Sequence, residues 1–438
     1  MSATPARLAA LRVMRHVRSG GLADPALRSA LAGLPPRDRA WTMELVRGTL
    51  RLRGRLDHVI AHFTKRGLDS LDADVLDILR LGGYQLIEMD SVPAWAAVSQ
   101  SVDLAKGAGG GAALVNAVLR AIRRADGQVP FPAFDTDPAG WLTTWGSHPR
   151  WLVERWLDRF GAESTRRLVE VNNGRPPLYL RTIGQDAAEA RRLLEAAGIT
   201  AFEVDSAPRS LRLEAGADIV AALNAVPAIV QDPGASRVAE FADPGHGLLI
   251  DLCAAPGGKA AVLAGPNGTG RASRVRVVAA DVSRPRIQRV IENVGRLGLP
   301  VAIVVADGRR PPFGRADAVL LDSPCTGTGT LRRHVDARWR IRPTDMAELV
   351  VLQTELLDAA ANVLGPGGLL VYATCSIEDE ENDGQVDTFL DRHPEFEVET
   401  VAAGVADGTG IDDDGRLRWL PHVHGFDGAF AVRMRRRR

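Results

Sequence analysis

The chain has 438 residues, 45% hydrophobic and 25% charged, with 54 basic against 54 acidic side chains. That length supplies cores for two or three domains, and a formal charge of zero says nothing by itself about a charged partner. No apolar run approaches the ~18–20 residues of a membrane span, and three widely spaced cysteines with no CxxC pair argue against a disulfide framework and a zinc site.

Residues 1–125 read as helical throughout. Apolar residues recur at three- and four-residue steps, as in Ala6, Ala10, Val13 and Val17. The pattern predicts further helices over 37–52, 71–89, 94–106 and 112–124, with Gly20, Gly21, Pro35, Pro36, Pro93 and the glycines of 107–111 between them. This is a helical bundle. It begins basic: residues 1–66 hold thirteen Lys/Arg against four Asp/Glu, and the chain ends in an arginine run, 433–438, broken only by Met434. Basic regions at both ends suit a polyanion, although a solvated arginine face explains either one as well. The N-terminus lacks the uninterrupted apolar core of a secretory signal, so a cytoplasmic protein is expected. Residues 127–140, with Pro130, Pro132 and Pro138, read as a linker.

From Trp141 the pattern changes. Helices over 149–160 and 162–172 lead to a short strand at 177–182, a helix at 187–197 and strands at 201–204, 210–213 and 228–231. Alternating short elements predict a small α+β module. From Gly247 strands and helices alternate regularly. Strands are predicted at 248–251, 275–281, 301–307, 316–322 and 368–374, and helices at 259–263, 284–297, 344–363 and 383–393. A last strand at 430–434 is placed at an edge. This is a doubly wound, Rossmann-like α/β domain. The expected division is 1–126, 141–235 and 236–438.

In such folds ligands bind beyond the carboxyl ends of the strands. Four successive predicted strands end on Asp251, Asp281, Asp307 and Asp322. One strand-terminal aspartate is usually a helix cap; four in register are a rarer coincidence. After Asp251 come Leu252, Cys253, Ala254, Ala255, Pro256, Gly257, Gly258 and Lys259. The two glycines permit close backbone approach, and the following helix offers free N–H groups. Neither the GxGxxG pattern nor the P-loop is present, which disfavours NAD and ATP. A short Gly-Gly turn suits S-adenosylmethionine, with Asp281 on the ribose hydroxyls and Asp307 on the adenine amine.

The fourth strand runs into Asp322, Ser323, Pro324 and Cys325; the fifth runs into Thr374, Cys375 and Ser376. A lone cysteine is most often a small buried hydrophobe, but two at adjacent strand ends, one close to an acid, point to chemistry. C5 of cytosine is a poor nucleophile. A thiolate added at C6 makes C5 enamine-like, able to take the sulfonium methyl, and an acid such as Asp322 stabilises the charge at N3. Asp-Ser-Pro-Cys also differs from the [DN]PP[YF] of exocyclic-amine methyltransferases. On these grounds Cys325 and Cys375 are equal candidates for the nucleophile.

Residues 251–259, 322–329 and 374–376 resemble motifs of the RsmB/Sun (Fmu) family of RNA cytosine-5 methyltransferases. So do residues 230–236 before the core, Arg332 through Trp339 and Glu380, Glu381 and Asn382 after the cysteine motifs, and Asp427 through Phe430. Residues 45–51, 79–86 and 115–120 resemble the NusB-like domain of that family. The resemblance covers nearly the whole chain. It implies an all-α NusB-like bundle, a small RNA-binding module and a class I methyltransferase domain. It makes Cys375 the nucleophile and gives Cys325 product release. Segment 253–259 with Asp281, Asp307 and Asp322 would hold S-adenosylmethionine. It implies RNA, 16S rRNA first, as partner of a metal-free monomer; a transfer-RNA methyltransferase or a catalytically idle assembly factor are the alternatives.

Overall fold

The computed structural model describes residues 3–266, 274–400 and 410–438. Two compact units divide the chain: residues through Gly174 together with Leu331–Arg340, and Arg175–Thr330 together with Ile341–Arg438.

The first unit is helical: α1 (Pro5–Arg18), α2 (Ala23–Leu31), α3 (Pro36–Arg51), α4 (Arg53–His62), α5 (Ala73–Glu88), α6 (Ala94–Gly107), α7 (Ala112–Ala125), α8 (Pro138–Thr144) and α9 (Arg150–Asn173). Leu45, Leu50, Leu56, Ile60, Ile78 and Leu79 are fully buried at its centre. The five predicted helices are present. α2 and α4 are additional; both are short, so few apolar repeats mark them. Asp72 caps α5, accepting from the N–H groups of Asp74 and Val75. Gly161, at φ +74°, breaks α9 between the two helices predicted there.

Two expectations change. The proline-bearing stretch 127–140 is packed, not a loose linker. Val129 is buried, Phe131 stacks on His58 at 4.5 Å and meets Trp145 edge-on at 5.1 Å, and α8 begins at Pro138. Aromatic contacts outweigh the proline signal. Part of the basic excess of residues 1–66 is also neutralised in place. Arg15 and Arg18 pair with Asp74, Arg18 with Asp77, Arg47 with Asp24, Arg53 with Asp57 and Arg55 with Glu88.

The second unit opens with β1 (Leu178–Thr182), α10 (Ala187–Ala196), β2 (Ala201–Glu203), β3 (Ser210–Leu213), α11 (Ile219–Ala225) and β4 (Ala228–Val230). They form an antiparallel sheet of order β2-β3-β1-β4 with its own core around Leu180, Leu194, Leu211 and Leu213. Then follow α12 (Pro233–Phe241), β5 (Gly247–Asp251), α13 (Gly258–Ala264), β6 (Val275–Asp281), α14 (Arg284–Arg296), β7 (Val301–Val305) and β8 (Ala316–Asp322). After α15 (Ala337–Arg340), which belongs to the helical unit, come α16 (Pro343–Val363), β9 (Leu364–Thr374), α17 (Asp383–Arg392), β10 (Phe396–Val398), β11 (Arg416–Trp419), α18 (Pro421–His424) and β12 (Ala429–Arg436).

The large sheet has the order β10-β12-β9-β8-β5-β6-β7, with β11 on β12. From β9 to β7 every pairing is parallel, and the chain reverses direction across the sheet between β5 and β8. Leu249, Ile250, Val319, Leu320 and Leu321 are buried on both faces, as a parallel strand covered on both sides requires. β12 is not an edge strand: it runs antiparallel between β9 and the short β10 and β11. The terminal arginines are correspondingly engaged, Arg433 and Arg435 with Glu399 and Arg437 with Glu397. No helix among the described residues is long and apolar enough to cross a membrane.

Candidate active site

β5, β6 and β8 each end on an aspartate, and β9 ends one residue before Cys375. β7 stops at Val305, so Asp307 lies two residues beyond its strand rather than on its end. The four strand ends flank the β5–β8 reversal, where an open α/β sheet leaves its ligand crevice.

The turn after β5 is held by its neighbours. The N–H of Ala254 donates to the carbonyl of Ala280 (2.9 Å), and that of Ala255 to Asp281 Oδ2 (3.2 Å). Ser283 N–H donates to Asp281 Oδ1 (2.9 Å), so the buried Asp281 carboxylate ties two loops together. Arg286 donates to the Ala255 carbonyl (3.0 Å) and Asn293 to that of Pro256 (3.0 Å); the Ala255–Pro256 peptide is cis. Gly257 sits at φ +93°, where a Cβ would also lie 3.0 Å from Val290. At Gly258 a Cβ would come within 2.7 Å of Gln231 Nε2. Gly257 therefore needs glycine, whereas at Gly258 the end of the Gln231 side chain would have to move. Cys253 is half-buried, and desolvation pushes its thiol well up, so it stays protonated.

Lys259, in the first turn of α13, donates to Asp322 Oδ2 at 2.6 Å. Burial alone would lower the lysine, but the Asp322 carboxylate outweighs it and holds the ammonium protonated. Asp307 accepts from Arg309 (2.7 Å) and is 38% exposed. That ion pair is solvent-screened and contributes little.

The two cysteine loops are locked to each other. Cys325 Sγ and Cys375 Sγ lie 3.4 Å apart. Gly329 N–H donates to the Cys375 carbonyl (3.0 Å), and a Cβ on Gly329 would collide with that oxygen at 2.6 Å. The fully buried Glu381 clamps both loops. It accepts from the N–H and the hydroxyl of Thr326 and from Gln353 Nε2 (3.0 Å), while its carbonyl accepts from Tyr372 OH (2.6 Å). Thr374 Oγ1 donates to Asn382 Oδ1 (2.6 Å), and Asn382 Nδ2 donates to the Ser376 carbonyl (3.0 Å). The hydrogen bond with Cys375, then burial, then the field of Glu381 push the Cys325 thiol well up. Cys325 is thus held as a thiol, and either sulfur of the pair can donate to the other.

The structure therefore brings together Asp322, Lys259, Cys325 and Cys375. It places Asp281 beneath the glycine turn and Asp307 apart in an exposed ion pair. Sequence reasoning gave Glu381 and Gln353 no role. Glu380, Glu381 and Asn382 carry part of the resemblance, but nothing local signals that Glu381 is buried.

Asp251 is also unassigned by sequence. It is fully buried, and neither carboxylate oxygen has a hydrogen-bond partner. Burial, then Asp322, raise it to about 8 against the opposing pull of Lys259. Between about pH 4 and pH 8 the native protein holds a proton there that the unfolded chain has lost, so stability falls as pH rises through that window. Replacing it, Asp251→Asn, is expected to flatten that slope, recovering on the order of 5 kcal/mol above pH 8. Urea midpoints at pH 5 and pH 8.5 measure it; identical slopes in variant and parent would refute the assignment.

Comparison with known proteins agrees with this architecture. The model of the 16S rRNA methyltransferase RsmB/F family matches residues 242–435, the NusB family model residues 4–124, and the RsmF/B-like ferredoxin-like domain model residues 148–220. The chain is 37% identical to the Mycobacterium tuberculosis protein MT1451, over 99% of this chain and 96% of that one. It is 34% identical to the ribosomal RNA small subunit methyltransferase B of Cronobacter sakazakii, covering 98% and 97%. The crystal structure of PH0851 superposes with a TM-score of 0.77 at 25% identity, covering 99% of both chains.

Proposed function

Because this chain belongs to the 16S rRNA methyltransferase RsmB/F family, we propose that it methylates C5 of a cytosine in 16S rRNA through a covalent bond from Cys375 to C6. The observation that carries this reading is the pair of sulfurs 3.4 Å apart beside the Lys259–Asp322 ion pair. A methyltransferase acting on oxygen or on an exocyclic amine has no use for two sulfurs there.

The residues fit S-adenosylmethionine as donor. Gly257 and Gly258 keep the turn after β5 free of side chains, and Asp281, on the end of β6, and Asp307, two residues beyond β7, are acceptors suited to ribose hydroxyls and an adenine amine. Residues 253–259 with Asp281, Asp307 and Asp322 would hold it. Bound there, S-adenosylmethionine supplies an electrophilic methyl group on sulfur. The chain does the rest. Cys375 attacks C6, moving the electron pair toward C5 and N3. Lys259 supplies a proton through Asp322 to N3, where charge develops. Once C5 is methylated its proton passes to water, the electron pair of that C–H bond re-forms C5=C6 as the C6–S bond breaks, the departing Cys375 sulfur takes the Cys325 proton, and the N3 proton returns through Asp322 to Lys259. The helical region and the ferredoxin-like module grip the RNA. The protein acts as a cytoplasmic monomer without a metal.

The test is a trap. Cys325→Ala is expected to accumulate a protein–RNA adduct that survives denaturing electrophoresis, because release loses its proton donor. Full turnover with no adduct would sink the release role. Bisulfite sequencing of total RNA from a deletion strain identifies the nucleotide; an unchanged cytosine pattern in 16S rRNA would overturn the substrate assignment.

A further inference from the structure

In the basic N-terminal region Arg15, Arg18, Arg47, Arg53 and Arg55 are already held by Asp74, Asp77, Asp24, Asp57 and Glu88. The helical unit carries unspent charge elsewhere. α7 is a steeply amphipathic helix. Val115, Val118, Leu119 and Ile122 point into the core. Asn116, Arg120, Arg123 and Arg124 recur at helical spacing on its other side. No acid lies in α7, and among the described residues Arg120, Arg123 and Arg124 form no ion pair. The same residues line a groove of about 900 Å³ together with Lys106 and Trp95 of α6. Lys106 is 65% exposed and has only a 3.5 Å contact to Asp103. Trp95 is 68% exposed, the most open large aromatic side chain described.

Cations at a helix C-terminus are ordinarily explained by the helix dipole. That covers Arg123 and Arg124, but not Arg120 a turn earlier, nor an indole left in water at the groove wall. An exposed aromatic beside four cations is the chemistry of an unpaired nucleic-acid strand, with base on ring and phosphates on arginines. We propose that the groove between α6 and α7 binds a single-stranded segment of the substrate RNA. Trp95 stacks on a base, and Lys106, Arg120, Arg123 and Arg124 take the phosphates. This rests on the RNA-methyltransferase reading and adds to it a site away from the cysteines.

The test uses the full chain and a uridine dodecamer, with affinity measured by fluorescence anisotropy across a salt series. Arg120→Glu with Arg123→Glu is expected to weaken binding at least tenfold. The same change should lower the salt slope by about 1.4, since each single-strand phosphate deprived of its arginine removes about 0.7. Trp95→Ala is expected to weaken binding roughly 5- to 150-fold with the slope unchanged, which separates stacking from charge. All of these side chains are exposed, so matching thermal transitions confirm that the variants fold. Unchanged affinity and slope in the double variant overturn the proposal. So does unchanged oligonucleotide binding accompanied by lost binding of ribosomal protein, which makes the groove a protein site. Tritium transfer to small-subunit RNA is followed in parallel. If the parent transfers no methyl group, the catalytic reading fails, while the oligonucleotide result still decides the groove.

Discussion

Replacing Cys375 with alanine is expected to reduce methyl transfer by at least about 10⁴-fold, the scale seen when a covalent nucleophile is removed. That is about 5.5 kcal/mol of lost transition-state stabilisation. The size follows from the proposed chemistry. Without addition at C6, C5 has no electron pair to offer, and positioning alone cannot supply one. Cys325, 3.4 Å away, is the obvious substitute. Its thiol is pushed well up by the hydrogen bond with Cys375, by burial and by Glu381. Removing Cys375 deletes the first of these but leaves the other two, so Cys325 remains a poor thiolate. Single-turnover tritium transfer at saturating RNA, with a denaturing gel for adduct, reads the result. The informative comparison is with Cys325→Ala. If the roles were reversed, Cys375→Ala would accumulate adduct and Cys325→Ala would form none; that outcome would reassign the nucleophile.

The sulfurs illustrate what is legible in the chain without its fold. β5, β6 and β8 are apolar runs ending in aspartate, so their ends, and the catalytic edge, follow from local pattern. Cys325 and Cys375 can be put on that edge but not ranked. What surrounds Cys325 depends on contacts remote in sequence: Cys375 is 50 residues away, and the Glu381 beside it is held by Thr326, 55 residues from it, and Gln353, 28 residues from it. The same holds for the arginines. Arg15 and Arg18 look like a free basic face until Asp74 and Asp77, 59 residues on, neutralise them. β12 reads as an edge because β10 and β11 are three and four residues long, too short for alternation to show. Asp307 departs from its expected strand end for a smaller reason: an apolar strand, Val301–Val305, runs on into Ala306 without a boundary signal. What is local in period or turn chemistry is legible; what depends on a buried charge finding distant partners is not.

The largest such dependence is Arg338, and Arg338→Met is expected to destabilise the helical unit by about 3–5 kcal/mol. The side chain is fully buried in α15. Its guanidinium donates to the carbonyls of Arg51 (3.3 Å), Ser147 (3.2 Å), Asn172 (2.9 Å) and Leu331 (3.2 Å) and to Asn173 Oδ1 (2.7 Å). No carboxylate among these partners neutralises it. Burial, then the nearby Arg51, lower its pKa to about 9, so it remains charged at neutral pH. Two effects compete in the substitution. Methionine removes a desolvated cation, and the depressed pKa sets that gain on the order of 5 kcal/mol. Against it stand charge-assisted hydrogen bonds from the four Nη hydrogens, shared among the five oxygens and each contributing roughly 1.5–3 kcal/mol, whose loss also orphans buried carbonyls. The second effect is larger. The Arg51 carbonyl keeps the Ser147 hydroxyl (2.8 Å), but the Arg338 bonds to Ser147, Asn172 and Leu331 have no evident substitute. Lysine is not expected to rescue, because one ammonium cannot span five oxygens arranged for a planar fork. Calorimetry should show the transition of the helical unit lowered by about 10 °C, at roughly 2–4 °C per kcal/mol for a unit of this size. A shift below about 2 °C would mean that an apolar side chain fills the site as well as the ion does, as happens at some buried charges. The five oxygens would then satisfy the cation without adding stability.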